Sequence, residues 1–182
     1  MNRGEHFNPF PGPQPYREGD RHRFFGREDM TRGLLNRILA HPCVTFFGPS
    51  GAGKSSLMQA SVIPLLQELH GFRVVRIDAW RASGQAPLEQ LVGAMFADLG
   101  LGEVPTELSP REALDEAVRL AERYSARPIL IYLDQLEQLL YPSRSPEGTD
   151  ELFEGLGALA RKPLRGLQLV LSLREDYLGR FR

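Results

Sequence analysis

A glycine-rich segment constrains the fold of this chain more than any other feature. Residues 48–55 read Gly-Pro-Ser-Gly-Ala-Gly-Lys-Ser and fit the pattern G-x-x-x-x-G-K-[S/T], the phosphate-binding P-loop motif. The segment follows the short apolar run Cys43–Phe47 and precedes a stretch of helical character, which is the strand–loop–helix context that the motif requires. A plain glycine-rich turn between a strand and a helix is the alternative interpretation.

Each residue type in the motif serves a chemical purpose. Glycines let the backbone wrap closely around a phosphate, and the exposed N–H groups at a helix N-terminus attract the anion. Lys54 is positioned to reach the β- and γ-phosphates, and the Ser55 hydroxyl to ligate Mg²⁺. The predicted phosphate-binding residues are Gly48, Pro49, Ser50, Gly51, Ala52, Gly53, Lys54, Ser55 and Ser56.

Apolar strands alternate with helical segments along the chain. The predicted strands are Cys43–Phe47, Phe72–Ile77, Ile129–Leu133 and Leu167–Leu173. Helices are predicted from Glu28 to His41, from the P-loop to about Leu69 with a break at Pro64, over Pro87–Leu99, from Pro110 to about Tyr124, over Leu136–Leu140 and over Asp150–Ala160. This alternation implies right-handed crossovers and a parallel sheet, hence an α/β fold. Strands that are apolar throughout agree, because parallel strands are buried on both faces.

Composition narrows the class of protein further. The length of 182 residues suits one domain with an arm, and a net charge of −1 disfavours nucleic-acid binding through bulk charge. The single cysteine, Cys43, excludes an intramolecular disulfide and a cysteine-rich zinc site. No apolar run approaches about 18 residues and the N-terminus lacks a signal-type apolar region, so we expect a cytoplasmic protein without a membrane segment.

Residues 1–27 differ in composition from residues 28–182. Four prolines fall between Asn8 and Tyr16, which predicts an extended or polyproline arm. The arm is also rich in aromatic residues, so we expect it to dock near the phosphate site rather than remain a flexible leader. Tyr16, Phe25, Gly26 and Arg27 are the predicted contacts to a nucleotide base, with a hydrophobic staple onto the first helix as the alternative.

Carboxylates follow the third predicted strand. Asp134 ends the apolar run Ile129–Leu133 and is the predicted second metal-site residue, although an acid after a strand is often only a turn residue or a helix cap. Many related ATPases place an acid directly after this aspartate, where this chain has Gln135. Glu137, three residues beyond Asp134, is therefore the predicted catalytic base, and a solvated helix residue is the alternative.

A lone basic residue follows the fourth predicted strand. Arg174 comes directly after Leu167–Leu173, and a cation there would point at the terminal phosphate and stabilise its charge. We therefore predict a catalytic or sensing role for Arg174. The alternative is an ordinary ion pair with the adjacent Glu175 or Asp176.

Taken in this order, the motifs resemble the novel STAND NTPases, bacterial signal-transduction ATPases with numerous domains. The resemblance runs from about residue 8 to the end of the chain. The segments that carry it are Asn8–Gly12 with Pro15-Tyr16, Phe24–Glu28, Gly48–Ser56, Asp134–Glu137 and Leu173–Leu178. The P-loop alone is shared with thousands of proteins, whereas this ordered set is much more specific.

The resemblance implies an ATP-dependent switch that binds ATP or ADP with Mg²⁺ and self-associates through its core within a longer protein. It also implies a three-layer P-loop fold with the strand order 5-1-4-3-2. The fifth strand and the C-terminal sensor or effector domains are expected to be missing from this chain, which would leave the sheet as 1-4-3-2 with the first strand at an edge. The family usually has Phe and Glu where this chain has Leu136 and Gln138, which predicts slow turnover.

Three other functions fit parts of the sequence. A nucleotide or small-molecule kinase shares this P-loop, but we see no arginine-rich lid segment after the third strand. A transporter-type ATPase requires an LSGGQ signature, of which Ser83-Gly84-Gln85 is only a partial match. A non-catalytic scaffold that uses the proline-rich arm as a peptide ligand leaves the P-loop unexplained. The sequence therefore favours the ATP-dependent switch.

Overall fold

A four-stranded parallel sheet forms the centre of the computed structural model, which describes residues 14–81, 84–141, 146–161 and 166–180. The strands are β1 (Cys43–Gly48), β2 (Arg73–Ile77), β3 (Ile129–Leu133) and β4 (Leu167–Arg174). They lie in the order β1-β4-β3-β2. The predicted α/β fold, its parallel sheet and the order 1-4-3-2 are therefore confirmed.

Helices cover both faces of the sheet. They are α1 (Glu28–Ala40), α2 (Lys54–Leu57), α3 (Ile63–His70), α4 (Pro87–Leu99), α5 (Pro110–Tyr124) and α6 (Pro146–Arg161). Leu130 and Tyr132 of β3 pack with α1, α2 and α3, whereas Ile131 and Leu133 pack with α4, α5 and α6. Three layers result, with β3 buried along its whole length. None of the helices in the described ranges has the length and apolar character that a bilayer crossing requires.

Local signals in the sequence set where helices begin. In α5, the Ser109 side chain accepts from the backbone N–H of Glu112, and the Glu112 carboxylate accepts from the backbone N–H of Ser109. This reciprocal capping, with Pro110 at the first helical position, begins the helix where the sequence predicts. Helix α6 begins at Pro146 rather than at the predicted Asp150, because a proline is also well suited to the first position of a helix.

The helix that follows the P-loop is continuous but contains one wide turn. Between α2 and α3, Met58–Val62 is π-helical, and the backbone N–H of Ile63 donates to the Met58 carbonyl. The break predicted at Pro64 is therefore displaced to the turn before it. In a regular α-helix the proline ring would clash with the carbonyl of residue 60, and widening the turn relieves this clash. The wide turn buries Gln59 beside the ends of the strands.

Strand β1 lies at an edge of the described sheet. It pairs with β4, and no second neighbour for it occurs within the described residues. The side chains of Thr45 and Phe47 are exposed on this strand, with Phe47 half accessible. The described residues thus form a sheet of four strands.

The described part of the arm lies against the P-loop helix. The backbone N–H of Tyr16 donates to the Ser56 hydroxyl over 3.1 Å, and Arg21 forms a 2.6 Å ion pair with Glu68. Beyond the proline-rich stretch, Glu18–Arg23 forms a 3₁₀ helix, and the Asp20 carboxylate caps its first turn by accepting from the backbone N–H of Arg17. Most of the predicted polyproline stretch lies outside the described residues.

Candidate functional site

A cavity of about 660 Å³ lies at the C-terminal ends of β1, β3 and β4. In open parallel α/β sheets, ligands bind at this edge of the sheet. Its wall combines three parts of the sequence: the arm, the P-loop and the residues at the strand ends. The lining residues are Gln14, Pro15, Tyr16, Phe24, Arg27, residues 50–56, Asp134, Gln135, Glu137, Ser172 and Arg174.

The P-loop joins β1 to α2 as a tight turn. Gly51 and Gly53 have φ values of 74° and 81°, a left-handed conformation that glycine adopts without strain. Lys54 Nζ donates to the carbonyl oxygens of Gly48 and Pro49 over 2.9 and 3.0 Å. Of the predicted phosphate-binding residues, 50–56 line the cavity, whereas Gly48 and Pro49 do not line it and hold the lysine through their carbonyl groups.

Asp134 is buried at the end of β3, with 1% of its surface accessible. Its Oδ1 accepts from the backbone N–H of Gln135 over 2.9 Å. Its Oδ2 has no hydrogen-bond partner among the described residues. An unpaired carboxylate oxygen is costly in a protein interior unless a cation or a donor approaches it. Asp134 therefore lines the cavity with one carboxylate oxygen, Oδ2, that no described residue pairs with.

A hydrogen-bond network holds the turn after Asp134. Gln135 has a positive φ of 52°, and its side-chain amide donates to the Asp78 carbonyl over 3.1 Å. The Trp80 indole N–H donates to the Asp134 carbonyl over 2.9 Å. Gln59, from the π-helical turn, donates to the Asp78 carboxylate over 3.1 Å. Burial and, less strongly, the charge of Asp134 raise the pKa of Asp78 despite the opposing influence of Arg76. The network ties the P-loop helix to the ends of β2 and β3.

Glu137 and Arg174 both line the cavity, and the Glu137 side chain is hydrogen-bonded to the Arg174 backbone. Glu137 is buried, and its Oε2 accepts from the backbone N–H of Arg174 over 3.2 Å. The Arg174 guanidinium forms an ion pair with Asp176 over 2.6 Å and lies 5.5 Å from the centre of the Tyr177 ring. The structure thus brings both predicted catalytic residues to the cavity, with Arg174 in the ion pair that the sequence left open as the alternative.

Two buried hydroxyl groups near Asp134 were not predicted from the sequence as part of the site. Tyr132 Oη and Ser172 Oγ are both fully buried and have no hydrogen-bond partner among the described residues. Burial and, after it, the nearby charge of Asp134 raise the pKa of Tyr132 well above its usual value, so this phenol stays protonated. The available signal was a single hydroxyl-bearing residue in each strand, Tyr132 in β3 and Ser172 in β4.

The arm contributes an aromatic wall that contains the predicted Tyr16, with Phe24 in place of the predicted Phe25. Tyr16 and Phe24 line the cavity, with ring centres 5.8 Å apart. Phe25, the other aromatic residue predicted to contact a base, is 75% exposed and is not among the residues that line the cavity. Gly26 does not line the cavity either; its φ of 78° turns the chain into α1. Arg27 does reach the cavity, and its guanidinium approaches the Ala52 carbonyl at 3.5 Å.

The residues present fit a magnesium site completed by phosphate. Among the described residues no three histidine, cysteine or acidic side chains cluster into a protein-only metal site. Mg²⁺ usually takes only one or two protein ligands and completes its shell with water and substrate phosphates. The Ser55 hydroxyl and the Asp134 carboxylate border the same cavity, and the Asp134 Oδ2 without a protein partner would supply the anionic ligand to such a cation.

Fold and site together define a P-loop nucleoside-triphosphatase. A family model described as "Novel STAND NTPase 1" matches residues 9–182 of the chain. The chain therefore belongs to the novel STAND NTPase family, as the resemblance implies. No curated protein matches the sequence.

Solved structures share the fold at low identity. The Aeropyrum pernix ORC1 protein in complex with DNA is 22% identical, with a TM-score of 0.60 over 86% of this chain and 40% of its own. The Aeropyrum pernix ORC2 protein, in ADPNP–ADP complexes, is 18% identical, with a TM-score of 0.55 over 85% and 41%. A Walker-type ATPase of Pyrococcus abyssi is 19% identical, with a TM-score of 0.53 over 88% and 47%. This chain spans less than half of each of these proteins, and the likeness shows the fold alone.

Proposed function

We propose that this chain binds ATP or ADP with Mg²⁺, hydrolyses ATP slowly and serves as the regulatory switch of a larger STAND-type signalling or defence protein. One observation carries the proposal. Lys54, Ser55, Asp134, Glu137 and Arg174 come from three separate segments of the sequence and border a single cavity. The family match and the fold support the same assignment.

Nucleotide binding in this proposal begins at the P-loop. The backbone N–H groups of residues 50–56 surround the phosphates, and Lys54 exchanges its carbonyl partners for phosphate oxygens. The base occupies the arm side of the cavity, where the rings of Tyr16 and Phe24 stand beside Arg27. A base of the nucleotide is flat and apolar on its faces, which suits an aromatic wall.

Ser55 and Asp134 are the proposed protein ligands of Mg²⁺. When bound, this cation neutralises charge on the β- and γ-phosphates during phosphoryl transfer. The chain's own contribution is the geometry around Asp134. The backbone N–H of Gln135 donates to the Asp134 Oδ1, and the Trp80 indole N–H donates to the Asp134 main-chain carbonyl. These two hydrogen bonds fix the orientation in which the carboxylate faces the cavity.

Hydrolysis needs a group that accepts the proton of the attacking water. Glu137 has a buried carboxylate that already faces the end of β4, and we assign it this role. Arg174 would stabilise the terminal phosphate, and for this its guanidinium must leave Asp176. Competition between Asp176 and the phosphate for Arg174 agrees with the slow turnover that Gln138 suggests.

The switch itself rests on a difference between two nucleotide states. ADP would hold a closed state, and exchange for ATP would open it and permit self-association within the longer protein. A ligand shifts such an equilibrium only through its different affinities for the two states. The cytoplasmic location and the split into an arm (1–27) and a core (28–182) belong to the same proposal.

A thermal melt of the purified chain tests nucleotide binding directly. The conditions are ATP, ADP, GTP and no nucleotide, each with Mg²⁺ and with EDTA. A ligand at about a hundredfold above its dissociation constant stabilises the folded state by about 2.7 kcal/mol. For a chain of this size that amounts to about 5–10 °C. A Mg²⁺-dependent rise with adenine nucleotides supports the proposal, whereas no shift with any nucleotide contradicts it.

Replacing Glu137 by glutamine is expected to lower ATP turnover by about 100-fold and to leave ATP affinity unchanged. General base catalysis contributes about 10²–10⁴-fold, and the amide cannot accept the proton. Glutamine retains an oxygen that accepts from Arg174, so the cavity keeps its shape. Phosphate release measures turnover and calorimetry measures affinity. Glu89→Gln, at the start of α4, is the matched control. Turnover equal to that of the unmodified chain would assign the base elsewhere.

A further inference from the structure

Three buried oxygen atoms gather beneath the P-loop helix. Tyr132 Oη, Asp134 Oδ2 and Ser172 Oγ each lack a hydrogen-bond partner among the described residues. Asp134 directly follows β3 and continues its pairing, because its backbone N–H donates to the Ile77 carbonyl over 2.8 Å. It lies two residues after Tyr132, so the two side chains point to the same face of the sheet. The register pairs Leu133 with Leu171, and one residue further places Asp134 beside Ser172. The three groups therefore lie on one face at the site edge of two neighbouring strands.

Apolar packing alone does not account for either hydroxyl. Tyr132 belongs to the apolar cluster formed with α1, α2 and α3, and Ser172 is fully buried in β4, two residues after Val170 of the same cluster. Burying a hydroxyl is unfavourable unless it forms a hydrogen bond, so phenylalanine and alanine would suit these positions better. Another unpaired atom, Gln168 Oε1, lies four residues earlier on β4, about 13 Å along the strand, and belongs to a different region.

The chemistry of the three groups is complementary. An ionised carboxylate only accepts hydrogen bonds, whereas a phenol and a serine hydroxyl both donate and accept. Groups behind a metal ligand orient it and raise its affinity for the metal. Ser172 also borders the cavity, so it can act on the side from which a cation approaches.

We propose that Tyr132 and Ser172 are positioning residues for Asp134: their hydroxyls hydrogen-bond Oδ2, directly or through one water molecule, and hold the carboxylate in the orientation that binds a divalent cation. This inference rests on the proposed function, because it assumes that Asp134 is a metal ligand. It adds two residues to the site that act through Asp134 and do not touch the nucleotide.

The test measures metal binding rather than hydrolysis. Mn²⁺ replaces Mg²⁺, and its binding to the ADP-loaded chain is followed by electron paramagnetic resonance. Tyr132→Phe removes one oxygen and keeps the ring in the core, and Ser172→Ala removes the second hydroxyl. Each variant is expected to bind Mn²⁺ about 10-fold more weakly, while ADP affinity measured in EDTA stays unchanged. Ser172→Thr, which keeps the hydroxyl, is expected to restore the affinity for Mn²⁺.

A matched control separates positioning from simple loss of a buried hydroxyl. Thr149 is also buried, and its hydroxyl donates to the Leu139 carbonyl away from the cavity lining. Thr149→Val should therefore leave Mn²⁺ affinity unchanged. Normal Mn²⁺ affinity in both Tyr132→Phe and Ser172→Ala overturns this inference alone, and so does an equal loss of ADP affinity in EDTA. Absence of Mn²⁺ binding by the unmodified chain overturns the metal site of the proposed function as well. If Tyr132→Phe does not fold, the comparison of Ser172→Ala with Ser172→Thr decides the test.

Discussion

Replacing Lys54 by alanine is expected to weaken ATP and ADP binding by roughly 100-fold. A hydrogen bond to a charged group contributes about 1.5–3 kcal/mol, and the ammonium group of Lys54 would contact the phosphates directly. Lys54 and Lys162 are the only lysines among the 22 basic residues of the sequence. The measurement is calorimetric titration with ADP in the presence of Mg²⁺.

The fold should tolerate this change. Lys54 is partly exposed, and in the described part of the chain its ammonium group donates to the loop carbonyls of Gly48 and Pro49. Loss of those contacts should lower the free energy of unfolding by about 1 kcal/mol, which a melt without nucleotide measures. Lys162→Ala removes the same charge outside the motif and should bind normally. Unchanged affinity in Lys54→Ala would remove the P-loop from the proposed mechanism.

Replacing Asp134 by asparagine is expected to abolish the dependence of nucleotide binding on Mg²⁺. The substitution keeps the size and shape of the side chain, but it removes the anionic oxygen that a hard cation prefers. ADP affinity should therefore be the same in Mg²⁺ and in EDTA, and equal to that of the unmodified chain in EDTA. Calorimetric titration under both conditions measures this difference.

Asp78 provides the control for general electrostatics. It is a second carboxylate at the strand ends, close enough to Asp134 for the charge of Asp134 to raise its pKa, yet it does not line the cavity. Asp78→Asn removes the same charge and should keep the response to Mg²⁺. If the two variants lose that response equally, the effect comes from the overall charge of this edge and Asp134 is not a ligand.

The fold could be predicted because its signals are local. The P-loop required a strand before it and a helix after it, and the structure has both. The start of α5 was encoded within four residues, Ser109 to Glu112, whose reciprocal hydrogen bonds form without help from the rest of the chain. The apolar run Ile129–Leu133 predicted a strand buried on both faces, as β3 is. Each of these features depends on neighbours that are adjacent in the sequence.

Parts of the site could not be predicted because they depend on long-range contacts. Trp80 and Asp134 are 54 positions apart in the sequence, and no local pattern indicates the hydrogen bond between the indole and the Asp134 carbonyl. The choice of Phe24 over Phe25 for the cavity wall depends on which ring packs against Tyr16, a contact made only after the arm folds back. Gln59 lies in the wide turn before Pro64 and donates to the Asp78 carboxylate. The sequence predicted a break at the proline itself, and it did not indicate that the turn before it would be the one to change.

The contact between the indole of Trp80 and Asp134 has a practical consequence. Trp80 is the only tryptophan in the sequence, so the intrinsic fluorescence excited selectively from indole comes from one place in the molecule. The indole N–H is hydrogen-bonded to the main-chain carbonyl of Asp134, the candidate metal ligand. Movement of this turn would change the emission without any attached label. Global unfolding would instead expose an indole that is 5% accessible and shift its emission to longer wavelength, so one optical signal separates rearrangement of the site from loss of the fold.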